Sequence, residues 1–112
     1  MAGLVAALGT ARVLGVATGA VPDARATVAA LLTEMGSPAE GLRIDDARIG
    51  AGYAHLTPEV REAMSTAART EGLVVDPTYT GRAMAGLIAA AADGTLPPVS
   101  YTHLTLPTNR EV

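Results

Sequence analysis

Apolar residues follow different spacings along the first third of the chain, and these spacings predict its first elements. An apolar stretch, Ala2–Leu8, is followed by Gly9, which predicts a short helix with a glycine stop. Residues 12–18 form a short, continuously apolar and β-branched run, which is typical of a buried strand. Residues 24–35 carry apolar side chains three and four positions apart, which predicts a helix with one stripe facing the core. The members of this stripe are Val28, Leu31, Leu32 and Met35.

The next part of the chain repeats the alternation of helix and strand. A long connection with one short strand around residues 42–44 comes first. The Thr-Pro-Glu of residues 57–59 combines a hydroxyl cap, a fixed φ and an acidic first turn, so we expect a helix from there to Gly72. Three apolar residues at 73–75 predict another strand, and residues 80–92 predict a last helix. Such alternation favours an α/β fold with parallel strands and helices on both faces.

The composition suggests that this α/β fold is incomplete. A chain of 112 residues makes one domain at most, and its two or three predicted strands are too few for a full sheet. Half of the residues are apolar, but the chain has no Phe, no Trp and only three Tyr. Small aliphatic side chains bury little area each, so a self-sufficient core is not expected. The sequence therefore predicts a partial three-layer fold that belongs to a larger domain.

The charge pattern removes several classes of function. The net charge is −3, all eight basic residues are Arg, and no basic stripe is present, which argues against a nucleic-acid partner. Without Cys, the chain has neither disulfides nor thiolate chemistry. Its longest apolar runs are far shorter than the roughly 20 residues that span a bilayer, and no leader opens it. We therefore expect a cytoplasmic protein without a membrane partner.

The composition changes abruptly after residue 98. Residues 99–108 read VSYTHLTLPT, which is similar to the translation of a transposase library adaptor, GTC TCT TAT ACA CAT CTG ACG CTG CCG ACG. In such a library three arbitrary codons, a Val codon and a stop follow, which matches the end of the chain. We therefore divide the chain into residues 1–98, the C-terminal part of an enzyme domain, and residues 99–112, an adaptor-derived tail. His103 and Tyr101 are accordingly not site candidates.

Three stretches resemble one enzyme family. Residues 68–88, ARTEGLVVDPTYTGRAMAGLI, closely resemble part of the D-cysteine desulfhydrase and 1-aminocyclopropane-1-carboxylate deaminase family. Residues 50–63, GAGYAHLTPEVREA, resemble that family's Gly-Tyr-Gly-x-Pro-Thr-Pro-Glu region, and residues 12–22 resemble the strand after its phosphate loop. The resemblance covers residues 1–98. It implies a fragment of a tryptophan synthase β-like (fold type II) enzyme that uses pyridoxal 5'-phosphate.

The resemblance also implies the site residues. It places Tyr53 and Tyr79 close to the substrate as the catalytic candidates, and it places Thr80 at the pyridine nitrogen of the cofactor. Gly81 follows Thr80, where either close packing or an approach of the cofactor explains a glycine. Ala2 and Gly3 resemble the residues just after a Ser-Gly-Gly-Thr phosphate loop, at a helix N-terminus that favours anions.

The residue type at position 80 distinguishes between two activities of the family. A carboxylate at the pyridine nitrogen favours a protonated ring and a strong electron sink, whereas a hydroxyl leaves a milder sink that suits β-elimination. The deaminase branch has Glu at this position, so Thr80 favours a desulfhydrase-like lyase releasing sulfide, pyruvate and ammonia. The alternatives are a 1-aminocyclopropane-1-carboxylate deaminase, and a non-catalytic α/β binding module, which would need a complete Gly-rich loop or a large apolar face. A purely local alternative makes Thr80 a helix cap.

The implied enzyme needs parts that this sequence lacks. The family holds its cofactor as a Schiff base with a Lys, and the sequence has no Lys. We therefore expect these 112 residues to be inactive on their own and marginally folded, while the parent enzyme is a homodimer acting on a small amino-acid substrate.

The remaining polar candidates are weaker. His55 is expected on the surface, and Asp45 with Asp46 in a solvated loop without a metal. Arg69 and Arg82 could contact a substrate carboxylate, or lie on the surface.

Overall fold

The computed structural model describes residues 1–96, so the predicted tail at 99–112 lies outside the described residues. Its four helices and two strands follow the predicted order. The helices are α1 (Ala2–Leu8), α2 (Ala24–Glu34), α3 (Pro58–Glu71) and α4 (Thr80–Ala92), and the strands are β1 (Leu14–Val16) and β2 (Arg43–Asp45). No helix of this part of the chain is long and apolar enough to cross a bilayer.

The two strands form a small parallel sheet, with α2 in the connection between them. Leu14 lies opposite Arg43, and Val16 lies opposite Asp45. The N–H of Ala17 extends the ladder by donating to the carbonyl of Asp45 at 2.8 Å. The first strand is shorter than the predicted residues 12–18, and its expected first residue, Arg12, instead ends a 3-10 turn, Thr10–Arg12.

Helices cover both faces of this sheet. On one face, the side chain of Met1 occupies the space that a Cβ on Gly15 would need. On the other face, α4 approaches β1 so closely that a Cβ on Gly86 would lie 2.6 Å from Cγ2 of Val16. Parallel strands between helices are an α/β arrangement, as the sequence predicted.

Two separate hydrophobic clusters stabilise the layers. The first lies between α3 and α4 and consists of Val60, Ala63, Ala67, Met84 and Ala85. The second joins α1, α2 and the residue before β2 and consists of Ala2, Val5, Leu32 and Leu42. Most of these side chains are small, which agrees with the modest core expected from the composition.

The predicted strand at residues 73–75 is wrong. This segment has no strand assignment, and Val74 is 94% exposed. The N–H of Leu73 instead donates to the carbonyl of Ala67, which closes the end of α3 together with the left-handed Gly72. Leu73 therefore belongs to the end of α3, and residues 1–96 contain no third strand.

The predicted stripe of α2 is only partly buried. Leu32 is fully buried and Val28 half-buried, but Leu31 and Met35 are 45% and 51% exposed. Because α2 packs mainly on the seven-residue α1, only its centre is covered. The predicted helical spacing of residues 24–35 is confirmed, but the buried face of α2 is narrower than predicted.

Candidate functional site

The two predicted catalytic tyrosines lie side by side. Tyr53, from the connection before α3, and Tyr79, at the start of α4, are 26 positions apart in sequence, yet their Oη atoms are 2.6 Å apart. Their rings meet edge to face, with centroids 6.1 Å apart. Each residue is about half exposed, so one side of the pair is open to a ligand.

Asp76 builds the turn that presents Tyr79. Its carboxylate accepts the backbone N–H groups of Thr78, Tyr79 and Thr80 at 2.8, 2.6 and 3.0 Å. The N–H of Thr80 is the first donor of α4 and has no partner inside the helix, so Asp76 caps α4 through Thr80 and orders the two residues before it. The hydroxyl of Thr80 and these N–H groups hold the pKa of Asp76 well below its usual range, because they stabilise the charged carboxylate.

The hydroxyl of Thr80 is hydrogen-bonded within the same turn. Its Oγ1 donates to Oδ2 of Asp76 at 2.6 Å and accepts the N–H of Asp76 at 2.8 Å. From the sequence, the local alternative for Thr80 is a helix cap. The Thr80 hydroxyl does serve the start of α4, but Thr80 is the first helical residue and not the capping residue. A hydroxyl has one proton, and here it already serves Asp76. In this arrangement the Thr80 hydroxyl proton is directed to Asp76, and it would have to leave that carboxylate to reach a pyridine nitrogen. The contact of Thr80 with the cofactor stays a prediction.

The other predicted cofactor residues lie on two helices, with Ala2 and Gly3 on α1 and Gly81 on α4. Gly81 is buried, and a Cβ there would collide with the carbonyl oxygen of Asp76 and lie 3.1 Å from Cγ of Met64. Close packing is therefore sufficient to explain this glycine. Ala2 is buried in the cluster of α1 and α2, whereas Gly3 is exposed, with open space where a Cβ would lie.

The two phenols share one hydrogen bond, and this determines what they can do. One hydroxyl donates to the other, and the accepting hydroxyl keeps its own proton for a group outside the pair. The pKa of Tyr79 is raised above its usual value, chiefly by this hydrogen bond and further by partial desolvation and nearby negative charge. Tyr79 therefore stays protonated at neutral pH and suits hydrogen bonding to a ligand.

Arg82 is buried, so of its two predicted alternatives the surface position is wrong. It is fully covered, and its guanidinium donates to three backbone carbonyls. Nη1 donates to the carbonyl of Thr18, and Nη2 donates to those of Gly52 and His55, both at 2.8 Å. Arg69, in contrast, is exposed in the last turn of α3.

Of the two acidic residues Asp45 and Asp46, only Asp45 departs from the predicted solvated loop. Asp45 is the last residue of β2 and pairs with Arg48 at 3.2 Å, and Arg48 also contacts Glu59. Asp46 is exposed after the strand. Within residues 1–96, no group of three or more His, Cys, Asp or Glu side chains could hold a metal ion.

A cavity of about 310 Å³ lies between β2 and the end of α4, and neither tyrosine lines it. Its charged lining consists of Arg25, Arg43, Asp45, Arg48 and Asp93. The tyrosine pair is thus an open surface feature that lies outside this cavity.

Comparison with known proteins identifies the family. No family model matches the chain. A protein named 1-aminocyclopropane-1-carboxylate deaminase from Rhizobium leguminosarum bv. viciae is 35% identical over 105 residues, which cover 83% of this chain and 31% of that protein. One of the same name from Mesorhizobium japonicum is 37% identical over 83 residues, or 67% of this chain and 24% of that protein. The chain thus spans 24% to 31% of the length of these relatives, and it belongs to the family of the 1-aminocyclopropane-1-carboxylate deaminases.

Proposed function

We propose that the full-length protein is a pyridoxal-phosphate-dependent lyase that deaminates 1-aminocyclopropane-1-carboxylate. The names of both relatives support this substrate, and the family resemblance supports the cofactor and a fold type II architecture. The observation that carries the proposal is the contact between Tyr53 and Tyr79. The family resemblance puts both residues near the substrate, and the fold joins them although distant parts of the chain supply them.

The role proposed for the pair is to bind and orient the substrate. The accepting phenol keeps one O–H free, which can donate to a substrate carboxylate or to another acceptor. The raised pKa of Tyr79 keeps its proton in place at neutral pH. The exposed half of each ring leaves room for a small amino acid beside the hydroxyls.

A D-cysteine desulfhydrase remains the second candidate. Thr80, in place of a carboxylate, is the observation that favours it. The hydrogen bonds between Thr80 and Asp76 weaken this argument, because the hydroxyl would have to leave Asp76 to reach a cofactor. We therefore place the deaminase first, which reverses the order that the sequence suggested.

The proposed cofactor needs residues from other parts of the full-length protein. No Lys is present in these 112 residues, so the Lys that binds the cofactor has to come from elsewhere. Ala2 and Gly3 stay predicted to lie next to the phosphate group of the cofactor. A homodimer stays the predicted assembly of the full-length enzyme.

The test is turnover by the full-length enzyme loaded with its cofactor. Ammonia release is measured with 1-aminocyclopropane-1-carboxylate and with D-cysteine as substrates. We expect the first to be turned over, and Tyr53→Phe or Tyr79→Phe to lower kcat/KM by about 100-fold through poorer orientation of the substrate. Glu62→Gln, on the exposed face of α3, is the control and should leave the rate unchanged. Turnover of D-cysteine alone would favour the second candidate, and turnover of neither would overturn the proposal.

A further inference from the structure

The guanidinium of Arg82 is the most unusual polar group in the described part of the chain. It is fully buried, and no carboxylate in residues 1–96 pairs with it. Its Nε has no hydrogen-bond partner there, so all of its bonds come from Nη1 and Nη2. A buried cation without a counter-charge is costly, and an apolar side chain of similar length would avoid that cost. The three carbonyls that it binds must therefore account for an arginine at this position.

These carbonyls surround the backbone of Tyr53. Gly52 directly precedes Tyr53, and His55 follows it by two positions. The third carbonyl, from Thr18, belongs to the turn after β1. That turn lies against Tyr53, because a Cβ on Gly19 would be only 3.1 Å from the Tyr53 nitrogen.

Arg82 also lies in the first turn of α4, three positions after Tyr79. One side chain thus connects the helix that presents Tyr79 to the loop that carries Tyr53. The loop needs such support, because Ala54 has a φ of 67° and Gly52 has a φ of 143°. An alanine in the left-handed region is strained, and strain persists only where the surroundings enforce it.

We propose that Arg82 is a positioning residue, which holds the loop of Tyr53 against α4 so that the phenols of Tyr53 and Tyr79 meet. The contact between the phenols follows from the structure alone, and only its importance for turnover rests on the proposed function. The planar fork of a guanidinium suits this task, because it reaches carbonyls from two segments at once. A Lys ammonium at the end of a single stem would reach fewer of them.

The test follows the two phenols by NMR in the full 112-residue chain carrying ring-labelled tyrosine. Arg82→Met and Arg82→Lys are compared with the wild type, with Tyr53→Phe as the reference for a lost phenol contact. Arg61→Met, at an exposed position of α3, is the matched control. Far-UV circular dichroism reports whether each variant is folded.

We expect the pKa of Tyr79 in folded Arg82→Met to fall to the value found in Tyr53→Phe. Arg82→Lys should lie between this value and that of the wild type, and Arg61→Met should match the wild type. A folded Arg82→Met with the wild-type pKa would overturn the proposal. If Arg82→Met does not fold, Arg82→Lys decides in the same way. If neither folds, Arg82 is a determinant of the whole fold, and the positioning role is rejected.

The same variants in the full-length enzyme separate this proposal from the proposed function. Displacing a substrate-orienting group by about 1 Å can cost about 100-fold in rate, so Arg82→Lys should lower kcat by about 10- to 100-fold. A full-length wild type without turnover would refute the proposed function, while the NMR result would stand. Unchanged kcat in a variant with a lost phenol contact would instead refute the role of Arg82 in turnover.

Discussion

The α3–α4 hairpin and the α1–α2 pair are built in different ways. In the hairpin, Thr57 caps α3 through the N–H of Val60, Gly72 ends it, and Asp76 caps α4. In the other pair, α1 has only seven residues and Met1 gives it no side-chain cap. Helix ends without caps are less stable, so α1 depends more on its packing partners.

The two pairs also bury their surfaces differently. Small residues such as Ala63, Ala67 and Ala85 allow α3 and α4 to approach closely along their length. The α1–α2 pair depends on one large side chain, Leu32, and leaves large apolar residues exposed. These are Leu4, Leu8, Leu31 and Met35. The tyrosine pair is thus supported by the better specified half of the fold, with Tyr53 brought to it by Arg82.

The largest effect is expected at the centre of the α1–α2 pair. Leu32→Ala should lower the free energy of unfolding by about 2–5 kcal/mol, because it leaves a cavity in the α1–α2 cluster. Leu32 is the one large side chain of this cluster that is fully buried. Leu31→Ala, one position earlier but 45% exposed, should change it by less than about 0.5 kcal/mol. Urea denaturation of the two variants measures both values. Equal losses would show that the predicted stripe is buried after all.

Substitutions of two glycines test the difference in packing between the α3–α4 hairpin and α1. Gly81→Ala should lower the free energy of unfolding by about 1–3 kcal/mol, because its Cβ would collide with the Asp76 carbonyl. Gly3→Ala, in α1 with open space around it, should raise that free energy by about 0.5–1 kcal/mol. Thermal unfolding of both variants checks the opposite signs. A stable Gly81→Ala would contradict the close approach of the hairpin.

Asp76 provides a pH-dependent test of the hairpin cap. Asp76→Ala should cost about 0.5–2 kcal/mol at neutral pH, the usual range for a lost cap. Because its pKa is lowered in the folded state, the carboxylate stabilises the protein above its unfolded pKa of about 3.9. This contribution is lost as the pH falls below about 4 toward the folded pKa. Between about pH 6 and about pH 2, the free energy of unfolding should therefore fall less in Asp76→Ala than in the wild type, and denaturant unfolding at each pH measures this difference.

The smallest effect on stability is expected at the tyrosine pair. Tyr53→Phe removes the hydroxyl that raises the pKa of Tyr79, so this pKa should move back toward about 10. The raised value means that the contact stabilises the fold below about pH 10, and that this stabilisation is lost as the pH rises through the folded pKa. Absorbance of the phenolate between about pH 8 and about pH 12 measures the change. An unchanged titration of Tyr79 would contradict the contact.

Local signals explain which elements could be predicted. The bounds of α1, α3 and α4 were predicted to within a residue or two, since caps, prolines and glycines act within one helical turn. The strand at 73–75 could not be predicted correctly from its apolar residues, because a strand requires a neighbour to pair with. The buried width of α2 likewise depends on the length of α1.

The candidate site shows the same limit. Tyr53 and Tyr79 were identified through a family resemblance, and Asp76 could have been found from an Asp-Pro turn just before a helix. Arg82 had no local signal, because its three carbonyl partners lie between 27 and 64 positions away in sequence. Its burial is visible only after the chain has folded.

The amino-acid sequence by itself determined the helices, their stops, the parallel α/β class and the family, because each depends on residues that are neighbours in the chain or on matched motifs. The tertiary structure alone decided that the two phenols meet and that Arg82 is buried against three backbone carbonyls. Hydrogen bonds act over about 3 Å, and only the packed fold brings groups from distant segments within that range.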